Sequence, residues 1–177
     1  MLTQSSAVID ASTLINLAAA EVFAEMLQAI ADRCFLCRVV KTECLFIRSA
    51  DGSQLDSVEP VRWIEAGIMF ECELAPDEEE RFVTYAAAID DGEAMCLAVA
   101  EARAYVLVTD DRKAKHLAKE IGVRTLSTAA IVREWAHAKS DEAIVGVINS
   151  IEKRARFRPP DDDSDYEWWM AQHGQAR

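Results

Sequence analysis

Glycine, proline and long apolar runs are all scarce in this chain of 177 residues, and each scarcity excludes a class of protein. Only 6 glycines and 4 prolines are present, which is too few for an all-β protein with many tight turns. No apolar run approaches the roughly 18 residues that a membrane-spanning helix needs. The first basic residue is Arg33, so we expect neither a signal peptide nor a membrane association. A mostly helical or α/β protein remains.

Phosphate-binding loops and serine nucleophiles are absent as sequence motifs. The glycines are isolated from one another, which excludes a P-loop and a dinucleotide-binding fingerprint. No Gly-x-Ser-x-Gly elbow occurs either. An aspartyl-phosphate enzyme with Asp10 as its nucleophile is disfavoured, because Ser12 lies two positions later, where the familiar phosphatases with that motif have a second Asp.

Cysteine occurs in an odd number, 5, in a chain large enough to fold without disulfides. We therefore expect reduced thiols and a cytoplasmic location. Cys34 and Cys37 have the spacing of a redox or zinc motif, but a second pair is missing and both residues lie in a predicted strand. We interpret them as core residues.

Acidic residues exceed basic residues by 31 to 19, which gives a formal net charge of −12. A chain this acidic is poorly suited to wrap a long stretch of nucleic acid. It can still act on a phosphate chain at one small site if metal cations invert the local charge. A basic protein partner is the other reading of this charge.

Short apolar runs alternate with segments of helical periodicity along most of the chain. Strands are predicted at about 7–9, 34–40, 68–74, 105–109 and 123–126. Helices are predicted at about 14–30, 41–48, 76–89, 93–103, 112–122, 128–138 and 141–156, with a surface loop over 49–60. This alternation predicts an α/β fold, with a central parallel sheet and helices on both of its faces.

The C-terminal residues differ in composition from the rest of the chain. Five acids and one base lie beyond Pro159, together with Trp168 and Trp169. We therefore predict one domain over residues 1–157 and an acidic, tryptophan-containing tail over 158–177. The tail would dock on the body or on a partner.

Carboxylates follow several of the predicted strands. Asp10 ends the first strand, and Asp110 with Asp111 ends a later one, whereas Glu43 follows the second strand and Glu93 opens a helix. Parallel strands present their carboxyl ends at one edge of a sheet, where ligands bind. Clustered carboxylates require cations, and the hard ions Mg²⁺ and Mn²⁺ prefer such oxygen ligands. A pair of these ions would promote phosphodiester cleavage by water. The alternative is that the acids are only helix caps.

Four segments, taken together, resemble the PIN-domain nucleases, especially the small prokaryotic ones. They are VIDASTLINLA (8–18), RVVKTEC with Glu43, DDGEAMCLAVA (90–100) and YVLVTDDRKAKHLAKEIGVR (105–124). The similarity covers about residues 7–155, in the same order. It implies the three-layer PIN fold and a metal-dependent ribonuclease that cleaves single-stranded RNA, and many similar proteins are toxins of toxin–antitoxin pairs.

The resemblance also implies which residues form the site. Asp10, Glu43, Glu93 and Asp111 match the four acids that hold Mg²⁺ or Mn²⁺, with Asp110 as the alternative fourth ligand. Glu93 stands where many relatives have Asp. Three further polar residues would support or line the site: Ser12, Asn16 and Thr109.

Basic residues follow the last of these acids. Arg112, Lys113 and Lys115 are predicted to contact RNA phosphates, the alternative being a solvated helix face. The resemblance further implies a homodimer and an antitoxin protein as partners. The competing hypothesis is a PIN-fold binding module with weak catalysis that acts through protein contacts, which the net charge and the Trp168-Trp169 tail favour.

Overall fold

A five-stranded parallel sheet forms the centre of the computed structural model, which describes residues 6–42 and 45–173. Its strands are β1 (Ser6–Ile9), β2 (Arg33–Cys37), β5 (Phe70–Cys72), β6 (Val106–Val108) and β7 (Thr125–Leu126). They lie in the order β5-β2-β1-β6-β7. A separate antiparallel hairpin pairs β3 (Phe46–Arg48) with β4 (Leu55–Ser57).

Helices surround this sheet, so the predicted α/β class with a parallel sheet is confirmed. They are α1 (Ala11–Ala18), α2 (Phe23–Ile30), α3 (Arg38–Thr42), α4 (Pro60–Glu65), α5 (Glu79–Ala86), α6 (Asp91–Arg103), α7 (Arg112–Glu120), α8 (Thr128–Ala136), α9 (Asp141–Ser150) and α10 (Tyr166–Gln172). A π-helical turn over Ile151–Ala155 extends α9. Within the described ranges, no helix combines the length and apolar character needed to cross a bilayer.

The central strands are short apolar runs because both of their faces are covered. Val8, Ile9 and Leu107 are at most 1% exposed, as expected for a parallel sheet buried between helices. The chain leaves β1 for β2 on one side and later enters β6 on the other. β1 therefore lies at a topological switch point, where α/β proteins form their ligand sites.

Two of the sequence predictions on the first half of the chain are wrong in detail. The helix predicted at 14–30 is two helices, α1 and α2, separated by a turn. The strand predicted at 34–40 ends at Cys37, where the chain turns into α3. In both places the apolar pattern is continuous, so the break comes from tertiary packing and not from a glycine or proline signal.

The helix predicted at 41–48 is also wrong, because residues 46–48 form β3. Their partner β4 comes from the segment predicted to be a loop, and the connecting turn contains Gly52 with φ +76°. Such three-residue strands are fixed by pairing with each other and carry little sequence signal of their own. Glu43 lies outside the described residues.

The C-terminal residues pack against the body. Trp169 of α10 is fully buried, and its indole ring meets Phe157 edge-on with 5.9 Å between centroids. Its indole N–H donates to a carboxylate oxygen of Glu152 at 3.0 Å. The tail thus docks on the body, and the domain boundary at residue 157 stays a prediction.

Candidate active site

Asp10 lies at the carboxyl edge of the sheet, between the ends of β1 and β6. Its backbone N–H donates to the Val108 carbonyl at 3.1 Å. Its side chain is the N-cap of α1 and accepts from the Thr13 N–H at 2.7 Å. The hydroxyls of Ser12 and Thr109 also donate to it, at 3.1 and 2.5 Å. The structure therefore brings both predicted hydroxyl residues onto the same carboxylate.

Burial dominates the electrostatics of Asp10, which is only 2% exposed. Desolvation raises the pKa of this carboxyl, and the nearby Asp110 charge adds to the rise, while the hydrogen bonds from Thr109 and Thr13 oppose it. The carboxylate is thus oriented by three donors and kept away from water. Such a group gains from a neighbouring cation.

Glu93 lies in the first turn of α6, whose N-cap position is Asp90. Burial is the largest cause, and the charges of Asp111 and Asp10 the next, of a rise in the pKa of Glu93 to about 7. The backbone N–H of Asp90 bonds to the Glu93 carboxylate and opposes this rise. Three carboxylates from different elements therefore repel one another across this edge of the sheet.

A small cavity of about 200 Å³ opens between these elements. Its lining residues are Asp10, Ala11, Ser12, Asp90, Gly92 and Glu93. Asp90 is not among the residues that the sequence analysis proposes for the site, although it lines the cavity. The signal that would have identified it is an acid at the N-cap of a helix whose third residue, Glu93, is itself a site candidate.

Asp110 and Asp111 have different surroundings. The Asp110 carboxylate accepts from the Thr128 N–H at 3.0 Å, from the Thr128 hydroxyl at 2.5 Å and from Asn16 Nδ2 at 3.0 Å. Asp110 thus links the end of β6 to α8 and α1, and Asn16 is one of the hydrogen-bond donors in this network. Thr128 was not a sequence candidate, because nothing in the sequence links it to a residue 18 positions earlier.

Asp111 is the N-cap of α7 and accepts from the Ala114 N–H at 2.7 Å through one oxygen. Its second oxygen has no hydrogen-bond donor among the described residues. The charge of Asp111 also contributes to the raised pKa of Glu93. Asp110 is thus held by Thr128 and Asn16, whereas Asp111 keeps one carboxylate oxygen without a donor in the described part of the chain, and the choice of fourth ligand between them stays a prediction.

The donor chemistry of these residues fits a hard divalent cation. Carboxylate oxygens are the ligands that Mg²⁺ and Mn²⁺ prefer, and Mg²⁺ usually keeps several waters and binds only one or two carboxylates. Over residues 6–42 and 45–173, no three Asp, Glu, His or Cys side chains are close enough to form a preassembled metal site. Asp10, Glu93 and Asp111 would draw together around a bound ion, since it removes their mutual repulsion.

The predicted RNA-contacting bases lie on α7, directly after Asp111. Arg112 pairs with Asp162 at 3.0 Å and Lys115 with Asp163 at 3.3 Å, so two of the three bases face acids of the tail. Lys113 is exposed.

The cysteines of the described residues are free and buried. Cys37 Sγ lies 3.7 Å from Cys72 Sγ and 3.8 Å from Cys96 Sγ. Burial raises the pKa of Cys34 to about 12, so its thiol stays protonated at neutral pH. These residues pack in the core, as the sequence predicted.

Replacing Glu93 by Gln should stabilise the metal-free protein at pH 8. The pKa of Glu93 is raised in the folded state from 4.5 to about 7, so its stabilising contribution is complete below the unfolded value and is lost as the pH rises through 7. We expect a gain of roughly 1 kcal/mol at pH 8, after allowing for solvent screening of a half-exposed group. Thermal unfolding in EDTA at pH 4.5 and 8 measures it.

Glu142→Gln is the matched control for this prediction. Glu142 is an exposed acid in the first turn of α9, so the chemical change is the same and the site is not involved. A gain that appears equally in the control, or that does not grow with pH, would contradict the account of Glu93 given above.

No curated protein matches the chain. A family model described as a PIN domain matches residues 6–163, which include the strand-end acids and the helices that position them. The fold and the family model agree, and we conclude that the chain belongs to the PIN-domain family.

Proposed function

We propose that this protein is a divalent-metal-dependent endoribonuclease that hydrolyses phosphodiester bonds of single-stranded RNA. PIN domains are generally nucleases and typically use divalent metal ions. The observation that carries the proposal is the placement of Asp10, Glu93 and Asp111, from three different elements, at one edge of the sheet, where their charges act on one another. Their burial and mutual repulsion raise the pKa of Glu93 to about 7, so the charged form of Glu93 is disfavoured. A carboxylate that served only to cap a helix would not have to be placed where its charge is unfavourable.

In this proposal Asp10, Glu93 and Asp111 hold the metal, with Glu43 as the fourth ligand that the resemblance implies. A bound divalent cation neutralises phosphate charge and activates water for in-line attack. The protein orients the metal-binding carboxylates. Hydrogen bonds from Thr13 and Thr109 hold the Asp10 carboxylate, and a hydrogen bond from the Asp90 backbone holds that of Glu93. Glu93 releases its proton on binding, so metal affinity rises with pH up to about 7.

The substrate would be positioned by bases beside the carboxylates. Arg112, Lys113 and Lys115 follow Asp111 on the first turns of α7 and would contact the flanking phosphates. Because the net charge is −12, contact with the polyanion would be confined to this short stretch.

A toxin role, with an antitoxin protein as partner and a homodimer as the active form, is also proposed. It is supported by the resemblance of the four segments to small prokaryotic PIN proteins. Expression from a tightly regulated promoter, with growth compared between wild type and Asp10→Asn, tests the toxin role. Mass determination in solution tests the dimer.

The competing function is a protein-binding module with weak catalysis. The net charge of −12 favours it. Its other argument, the pair of tail tryptophans, is weakened because Trp169 is fully buried in this chain's own core.

The proposed function predicts Mn²⁺- or Mg²⁺-dependent cleavage of single-stranded RNA. A fluorescent single strand should be cut internally in the presence of either ion and left intact in EDTA. The same sequence in a duplex should be cut poorly, and a small phosphomonoester should not be hydrolysed. Cleavage that persists in EDTA would contradict the metal requirement, whereas absence of both metal binding and cleavage would favour the binding module.

A further inference from the structure

Three ion pairs connect the tail to the two helices that follow the sheet edge. The tail residues belong to one short stretch, 161–165, which we call the acidic segment. The pairs are Asp162–Arg112 at 3.0 Å, Asp163–Lys115 at 3.3 Å and Asp165–Arg133 at 2.6 Å. These pairs involve three of the 19 basic residues of a chain that has 31 acidic ones, and all three lie on one surface.

The three pairs differ in exposure. The side chains of Asp162 and Arg112 are 64% and 66% exposed, so this pair is solvated and exchanges easily. Asp163 and Asp165 are only 5% and 10% exposed. The acidic segment is therefore held firmly at its C-terminal end and loosely at Asp162.

The acidic segment is anchored independently of the bases it covers. Trp169, four residues after Asp165, is fully buried and bonds to Glu152, which also pairs with Arg158 at 3.0 Å. Within the segment, the Asp165 N–H donates to Asp163 at 2.9 Å. Loss of a single pair at its exposed end would thus leave the tail in place.

The covered bases are adjacent to the candidate active site. Arg112 directly follows Asp111, and the Lys115 N–H donates to the Asp111 carbonyl at 3.0 Å. Arg133 lies on α8, whose first residue is held by Asp110. A strand of nucleic acid whose phosphate lay at Asp111 would pass the first turns of α7, which carry Arg112 and Lys115 together with Lys113.

We propose that the acidic segment occupies the path of the RNA backbone, with its carboxylates in the places of phosphates, so that RNA competes with Asp162 for Arg112. The inference rests on the proposed function for the identity of the ligand, single-stranded RNA. It adds a self-inhibitory contact and extends the RNA surface to Arg133. An incoming phosphate makes bidentate bonds to a guanidinium as readily as a carboxylate does.

Asp162→Asn tests the competition without disturbing the anchor. Binding of a fluorescent single-stranded RNA is measured in EDTA, where no cleavage occurs. We expect affinity to increase about two- to fivefold, the range of an exposed ion pair. Asp161→Asn is the matched control, since Asp161 is exposed in the same segment, undergoes the same charge change and has no basic partner in the described part of the chain.

The double variant Asp162→Asn with Arg112→Gln distinguishes competition for Arg112 from a general effect of removing one negative charge. The gain should disappear in the Arg112→Gln background if Asp162 acts through Arg112. Equal gains for Asp161→Asn and Asp162→Asn, a gain that survives loss of Arg112, or no gain at all would each overturn the inference.

Cleavage by the same variants with Mn²⁺ distinguishes this inference from the proposed function. Wild type that cleaves RNA, combined with unchanged affinity in Asp162→Asn, overturns the competition and leaves the nuclease intact. A specific gain in RNA affinity without any cleavage supports the competition and contradicts the nuclease.

Discussion

Asp10→Asn should lower the rate of RNA cleavage by about a thousandfold or more, while the protein remains folded. The loss follows because a divalent ion is worth several kcal/mol to the transition state and Asp10, at 2% exposed, is the most buried candidate ligand in the described part of the chain. The fold should survive because the asparagine carbonyl can still accept from the Thr13 N–H and cap α1.

Two measurements on this variant belong together: single-turnover cleavage with saturating Mn²⁺, and calorimetric titration of Mn²⁺ in the absence of RNA. Cleavage and metal binding should be lost together. Asp91→Asn is the matched control, because Asp91 is an exposed acid on the same turn as Glu93 but does not line the cavity. Undiminished turnover in Asp10→Asn would remove the proposed mechanism.

Trp169→Ala should cost about 3–5 kcal/mol of unfolding free energy, the range for truncating a buried aromatic side chain. Trp169 is fully buried against Phe157 and donates to Glu152. Its removal leaves a cavity under α10 and takes away a hydrogen bond from a half-buried carboxylate. The melting temperature should fall by roughly 10 °C.

Urea unfolding at neutral pH measures this loss, and Trp168→Ala provides the control. Trp168 is the neighbouring ring on α10, but it is only half-buried, so its truncation should cost much less. A loss below about 1 kcal/mol for Trp169→Ala would mean that the C-terminal residues are peripheral to the folded domain. Trp169→Phe should fall between the two alanine variants.

The position of the acids was predictable because it depends on geometry that short patterns reveal. The strand at 105–109 was predicted from its apolar run, and Asp10 and Asp111 follow parallel strands, which must end at the same edge. The different tasks of Asp110 and Asp111 were not predictable. They depend on Thr128 and Asn16, whose distances in space are set by tertiary packing.

The tail illustrates the same limit. Its composition identified it as acidic and aromatic, but two adjacent tryptophans give no sequence signal for which ring enters the core. Trp169 is buried and Trp168 is not, because only one of them faces the body from α10. Likewise, the acids of 161–165 could be counted, whereas their pairing with bases some 30 to 50 positions earlier could not.

The helix N-termini at the site offset part of the negative charge of its carboxylates. Asp10, Asp90 and Asp111 each stand at the N-cap of a helix, so three helices direct their amino ends to one edge of the sheet. Each such end carries roughly half a positive charge. Three peptide dipoles therefore offset about half of the formal charge of three carboxylates. This built-in polarity lowers the negative potential that an incoming anion would meet at this edge of the sheet.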